Sequence, residues 1–259
     1  MSQAQGELSG KLALVTGASG GIGAAVSKDL WALGVDLALT YWSSRDKIDA
    51  LVTELEAAPA RADAKISVHR IDMGTNDDPD FDFLFEEIEQ LQSRRPDILV
   101  ANAGYGKRKT YIEDIGLDEF DYMVRVNLRA PFVLARHCIP AMAKKGWGRL
   151  IFISSIAAIG GGINGPHYAA SKGGLSGMMR NLAARYAKDG ITANDVAPAM
   201  IGETGMIGGP RDVEGTPGDV KNIPVGRLGT PKEVANVVTM LCQTGYLTGQ
   251  SILLSGGLK

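Results

Sequence analysis

The stretch His167 to Gly174, HYAASKGG, sets a tyrosine and a lysine four residues apart among mostly small neighbours. That is about one helical turn, so Tyr168 and Lys172 project side by side from one face. A tyrosine titrates near ~10, and proton donation at neutral pH needs its phenolate stabilised by roughly 4 kcal/mol, about three pK units. A lysine ammonium one turn away supplies positive charge where it is needed. Ser155 follows the apolar run RLIFIS (149–154), where a hydroxyl can hold a substrate carbonyl oxygen against the phenol. Asn127, an amide in the otherwise apolar helical stretch FDYMVRVNLRAPFVLA, could connect Lys172 to solvent through a water. Each residue alone has a plainer reading: a helix cap, an exposed pair, an amide satisfying backbone. Together they read as a proton-transfer apparatus, with Asn127, Ser155, Tyr168 and Lys172 as the candidate catalytic residues.

A second constellation lies nearer the start of the chain. The run KLALVT is followed at once by TGASGGIG and an apolar helical segment, which places Gly17, Ser19, Gly21, Ile22 and Gly23 on a strand–loop–helix turn. Glycines let such a loop turn tightly and approach a ligand, and the helix N-terminus offers free N–H groups to a pyrophosphate. The spacing G-x-x-x-G-x-G differs from the G-x-G-x-x-G of the general dinucleotide fingerprint. At the end of the second strand, about 20 residues on, an acid would bind an unphosphorylated ribose. Here the chain reads TYWSSR over 40–45, with no acid before Asp46 and with Asp36 too early in the strand. Tyr41, Ser43, Ser44 and Arg45 suit a 2′-phosphate held by charge-assisted hydrogen bonds, which favours NADP(H) over NAD(H).

These groups require a scaffold that delivers them to one place. Apolar runs at 11–16, 35–41, 64–70, 97–102, 149–154, 191–197 and 251–255 alternate with segments of helical periodicity. That alternation predicts a doubly wound α/β fold, a parallel sheet covered on both faces, with ligands at the carboxyl ends of its strands. The 259 residues read as one domain behind a flexible N-terminus over 1–9. The stretch 197–224 holds six glycines and four prolines without a continuous pattern, and reads as a mobile substrate lid over 199–222. A net charge of −2 with no run of five like charges argues against nucleic acid and anionic membranes as partners. Cys138 and Cys242 lie in apolar segments without metal-ligand spacing and read as core residues in a reducing, cytoplasmic compartment, with no metal.

On these motifs the sequence resembles the short-chain dehydrogenase/reductase family from about residue 10 to the end. The resemblance carries TGASGGIG as the cofactor loop, Asp72 in RIDMG as adenine-amine acceptor with Met73 beside it, and ANAG (101–104) as the segment lining the nicotinamide ribose. Asn102, Ala103 and Gly104 belong to that segment. Asn127, Ser155, Tyr168 and Lys172 match the family's catalytic tetrad. The resemblance implies a single-domain Rossmann-type sheet of seven strands in the order 3-2-1-4-5-6-7 and hydride transfer at nicotinamide C4. It also implies a homotetramer built on helices near 118–144 and 168–187 and on the last strand. After the sixth strand Pro198 is followed by Ala199 in place of glycine, while Ile201 and Thr204 still suit contacts to the carboxamide and phosphates. Ser255 stands where close relatives carry Asp.

Within the family the chain looks most like the β-ketoacyl-carrier-protein reductases and related carbonyl reductases. The expected activity is reversible NADP(H)-dependent reduction of a ketone or aldehyde, a 3-oxoacyl thioester included. An acidic carrier protein would need cations at the site entrance, for which Arg129, Lys144 and Lys145 are candidates, although Asp189 stands where carrier-binding relatives often place a cation. Tyr105, Ile156, His167, Met200 and Met206 are the candidate substrate contacts. The alternatives are a catalytically silent NADP-binding regulator or scaffold, which the intact tetrad argues against, and a lyase or dehalogenase, which would not need the glycine loop.

Overall fold

Seven apolar runs become seven parallel strands: β1 (Leu12–Val15), β2 (Asp36–Tyr41), β3 (Ile66–Arg70), β4 (Ile98–Ala101), β5 (Gly148–Ile153), β6 (Ile191–Pro198) and β7 (Ser251–Leu254). The computed structural model describes residues 7–58 and 61–259. The strands form one sheet in the order β3-β2-β1-β4-β5-β6-β7. Parallel neighbours require crossovers, and the crossovers are α1 (Gly21–Ala32), α2 (Arg45–Glu56), α3 (Asp78–Gln92), α4 (Leu117–Val124), α5 (Ala130–Lys145), α6 (Ala157–Gly160), α7 (Pro166–Tyr186) and α8 (Pro231–Gln243).

The period-two alternation of each strand divides the core in two. Leu12 and Leu14 of β1 face Phe81 and Phe85 of α3, Leu134 of α5 and Leu175 of α7. Ala13 and Val15 face the other way, into a layer with Leu30 of α1, Leu51 of α2 and Val238 of α8. All residues of β1, β2, β4, β5 and β6 are buried, as expected of strands covered on both faces. Cys138 and Cys242 are buried and unpaired, one in each layer. Asp36, at the start of β2, pairs with Arg61 and Arg94 and accepts the Lys65 N–H at 2.9 Å, a structural role at the edge away from the strand carboxyl ends.

α4 and α5 are one helix interrupted by a π turn over Arg125–Arg129, with Asn127 at its middle. Such turns re-aim a side chain out of the regular helical phase and recur at functional sites. The stretch after β6 is irregular as expected, with short 3₁₀ turns at Pro210–Val213 and Val220–Asn222. It is internally bonded: Asp212 accepts from the N–H groups of Gly208 and Gly209, and Asp219 from those of Gly215 and Lys221. Met200 and Glu203 at its start hold φ of 50° and 57°, a region that side chains with a Cβ enter at a cost. Of the N-terminal segment, residues 1–6 lie outside those described, and Leu8 is buried in the α1 layer. Among the described residues no helix is long and apolar enough to cross a membrane, and no cluster of metal-ligating side chains is found.

Candidate active site

β1 pairs with β2 on one side and β4 on the other, so the chain order reverses between them and a crevice opens at their carboxyl ends. A cleft of about 810 Å³ runs from this crevice across the ends of β4, β5 and β6. That is in the upper part of the roughly 300–1,000 Å³ range of ligand pockets. The glycine loop borders one part with Gly17, Ser19, Gly21 and Ile22, and Ser155, Tyr168 and Lys172 border another. Asn102, Ala103 and Gly104 lie between them.

The loop is shaped to let a dinucleotide come close. Gly17 has φ of +63°, and a Cβ at Gly23 would stand 2.4 Å from the Gly17 carbonyl oxygen, so Gly23 serves the packing of the loop and does not itself face the cleft. No side chain caps α1 and no acid stands in its first turn, which leaves the positive helix end for a phosphate. The Thr16 hydroxyl accepts from the N–H groups of Asn102 and Ala103 at 3.0 and 2.9 Å, and Asn102 Nδ2 donates to the Thr16 carbonyl at 2.8 Å. These bonds tie the end of β4 to the loop. Residues, cradle and helix end together fit a nicotinamide dinucleotide.

At the ends of β2 and β3, Tyr41, Ser43, Ser44, Asp72 and Met73, the residues expected at the adenosine, line the cleft. Asp72 accepts from the Gly74 N–H at 2.8 Å and the Tyr122 hydroxyl at 3.3 Å, which fixes the carboxylate in place. Arg45 departs from expectation. Its side chain is not part of the cleft wall: Nε donates to both Asp49 carboxylate oxygens at 2.8 and 2.9 Å, and Nη1 to the Tyr41 hydroxyl at 3.3 Å. These partners hold its pKa above the ordinary value. An acid one helical turn along α2 claims the cation first.

At the other end of the cleft Ser155, Tyr168 and Lys172 share the wall, with Asn127 behind it. Tyr168 and Lys172 are 6% and 3% exposed, and Lys172 Nζ lies 5.8 Å from the Tyr168 ring centre. Nζ donates to the Ile153 carbonyl at 2.8 Å. Burial pushes the Lys172 ammonium down to about 8, against an opposing pull from the Asp195 carboxylate. Burial pushes the Tyr168 phenol up, and the Ser155 hydroxyl pulls it partly back. Ser155 Oγ also accepts the Ala157 N–H at 3.1 Å, where α6 begins, while facing the phenol. Asn127 is fully buried and stands behind the cleft wall. Its Oδ1 accepts from Tyr105 N and its Nδ2 donates to Tyr105 O, both at 2.8 Å, with a further bond to Ser171 Oγ at 3.1 Å. Asn127 and Lys172 do not bond directly, but a methyl at Gly104 would stand 3.5 Å from Oδ1 and 3.7 Å from Nζ, so both face one small gap.

Pro198, Ile201 and Thr204 line the cleft, as do Tyr105, Ile156, Met200 and Met206. The segment after β6 therefore borders the cleft. The Thr204 hydroxyl is engaged inside the lid with the N–H and carbonyl of Ile207. His167 is turned away: it is 1% exposed, outside the cleft wall, with neither ring nitrogen hydrogen-bonded, and burial lowers its pKa. It neither caps α7 nor touches the cleft.

The candidate docking cations are also corrected. Lys145 closes α5 and pairs with Asp97 at 2.6 Å, just before β4, which puts Lys144 and Lys145 at the strands' amino ends, opposite the cleft. Arg129 is tied to Asp78 and the Thr75 carbonyl. Besides Lys172, Lys107 and Arg108 line the cleft together with Asn164, Lys107 lying 3.7 Å from the Glu119 carboxylate. The run GKRKT (106–110), one residue after ANAG, was the visible signal for them, and its nearness to a β-strand end was the clue to its position.

A seven-stranded parallel sheet with a glycine-loop crevice and a buried Ser–Tyr–Lys group at one cleft defines a dinucleotide-dependent oxidoreductase, and the chain belongs to the short-chain dehydrogenase/reductase family. The family model described as enoyl-(acyl carrier protein) reductase matches residues 17–259. The chain is similar to the 3-oxoacyl-[acyl-carrier-protein] reductase FabG of Rickettsia bellii, 37% identical over 97% of this chain and 98% of that protein. It is also similar to a tropinone reductase homologue of Arabidopsis thaliana, 31% identical over 97% of this chain and 91% of that protein. A mutant short-chain dehydrogenase/reductase of Serratia marcescens superposes with a TM-score of 0.84 at 32% identity, covering 97% of this chain and 99% of that one.

Proposed function

We propose that the protein is an NADP(H)-dependent reductase of ketone or aldehyde carbonyls, working reversibly toward the alcohol, with 3-oxoacyl thioesters among its substrates. The observation that carries this reading is the meeting of Ser155, Tyr168 and Lys172 at the wall of a cleft that begins at the glycine loop. The hydride and, after its transfer, a positive charge near the phenol come from the nicotinamide cofactor. Ser155 Oγ holds the substrate oxygen. Tyr168 gives its proton to that oxygen as the carbon accepts hydride. Burial makes the phenolate costly, so the stabilisation must come from charge beside it, and the Lys172 ammonium supplies it. Asn127 holds the Tyr105 backbone, and its Oδ1 shares with Lys172 the gap through which a water would relay the proton.

A thioester-linked substrate is supported by the similarity to proteins named for 3-oxoacyl carrier-protein reduction and by Lys107 and Arg108 at the cleft. A homotetramer in the cytoplasm goes with this reading; exposed Phe120 and Phe132 on the α4–α5 helix and Leu253 on β7 are suited to its interfaces. The test is NADPH and NADH oxidation by the purified protein against β-ketoacyl thioesters, diketones and ketoses, with Tyr168→Phe beside it. We expect one carbonyl class to be reduced with NADPH and the Phe variant to lose at least about a hundredfold in rate, the scale of general acid catalysis. Tight NADPH binding without turnover on any class would favour the silent regulator instead.

A further inference from the structure

Beside the adenosine end of the cleft stands a second cation, Arg70, which like Arg45 is not part of the cleft wall but is less committed than Arg45. Arg70 closes β3 in register with Tyr41 of β2. Its guanidinium carbon lies 4.8 Å from the centre of the Trp42 ring, and Nε donates to the Trp42 carbonyl at 3.2 Å. Among the described residues Arg70 forms no ion pair, and that bond to Trp42 leaves its terminal nitrogens free. Trp42 is 49% exposed and lines the cleft together with Ser43 and Ser44. A guanidinium laid on an indole is already ordered, so little freedom is lost when its remaining donors meet an anion.

We propose that Arg70, carried on the Trp42 ring, is the cation that selects a 2′-phosphorylated ribose, with Ser43 and Ser44 supplying hydroxyl donors. The inference rests on the NADP(H) reading above. For Arg45 to do this work it would have to release a doubly bonded pair with Asp49 and a contact with Tyr41. Arg70 gives up no acid. The strand pairing of β2 with β3 fixes where it stands, since Arg70 and Tyr41 end their strands together. An equivalent cation cannot be found by reading onward from the glycine loop, because it arrives from the next strand.

The experiment is titration calorimetry of the purified protein with NADPH, NADH, adenosine 2′-monophosphate and adenosine 5′-monophosphate, for the wild type, Arg70→Ala, Arg70→Lys and Arg45→Ala. Arg70→Ala is expected to weaken NADPH and the 2′-phosphate about tenfold or more, the scale of a lost charge-assisted pair, while NADH and the 5′-phosphate change by no more than about twofold. Arg70→Lys keeps the charge without the flat stack and should fall between. Arg45→Ala should change NADPH by less than about threefold. Retained NADH affinity in Arg70→Ala shows that the variant is folded. A wild type that binds NADPH more tightly than NADH, with Arg70→Ala unaffected or with the selective loss in Arg45→Ala, overturns this inference and leaves the NADP(H) reading standing. An equal loss toward both dinucleotides overturns it too. A wild type without preference overturns both.

Discussion

Lys172 is a cation at an uncomfortable address. It is almost without solvent, its one direct partner is a neutral carbonyl, and its charge is favoured by Asp195, which is itself fully buried and shares one oxygen with the Ser251 hydroxyl at 2.5 Å. Deprotonation of the ammonium removes the charge that favours the Tyr168 phenolate, so kcat/KM for carbonyl reduction should fall as pH rises past about 8. Asp195→Asn removes a negative neighbour and so disfavours the ammonium, and the falling limb should move to lower pH. A pH–rate profile of the two proteins checks this, and an unmoved limb would exclude Asp195 from the electrostatics of the site. The tyrosine, lysine and serine were legible from type and spacing. Asp195 was not, because it acts from β6 on a lysine of α7, a relation that only the packing of the two elements creates. Arg45 has a competitor visible in the sequence: Asp49 stands four residues on, and a helix surface pairs such residues by default.

At the scale of elements, the strands were readable because two-sided burial demands continuous apolar runs, and the ends of each observed strand fall within two residues of its run. The π turn at Asn127 was not readable, since nothing in apolar periodicity marks one inserted residue. Its effect is to spend an amide on both backbone groups of Tyr105, fixing a cleft residue from behind. The junction between lid and α8 is held by a reciprocal cap: the Thr230 hydroxyl accepts the Glu233 N–H at 3.3 Å, and Glu233 accepts the Thr230 N–H at 2.9 Å. Arg227 and these bonds hold the Glu233 pKa down at about 2. Thr230→Ala should cost about 1 kcal/mol of stability, as lost caps do. Denaturant unfolding measures it, and a change below a few tenths would mean the lid end is anchored elsewhere.

The whole molecule explains where sequence reasoning about docking went astray. In a doubly wound fold helices run against the strands, so a helix that follows a strand ends at the opposite edge from the ligand crevice. Lys144 and Lys145 were bound to be far from the site, while loops that leave strand ends, such as the one carrying Lys107 and Arg108, were bound to be near it. The same sheet separates two apolar layers, and each holds one thiol, Cys138 with α5 and Cys242 with α8, both pushed up by burial, the latter to about 12. Neither can react with an alkylating reagent until its own side of the sheet opens. The chain thus carries two internal clocks, one per face. Mass-resolved alkylation under native conditions should label Cys138 and Cys242 at a common rate if the faces come apart together. It should label them at separate rates if one face breathes while the other stays shut.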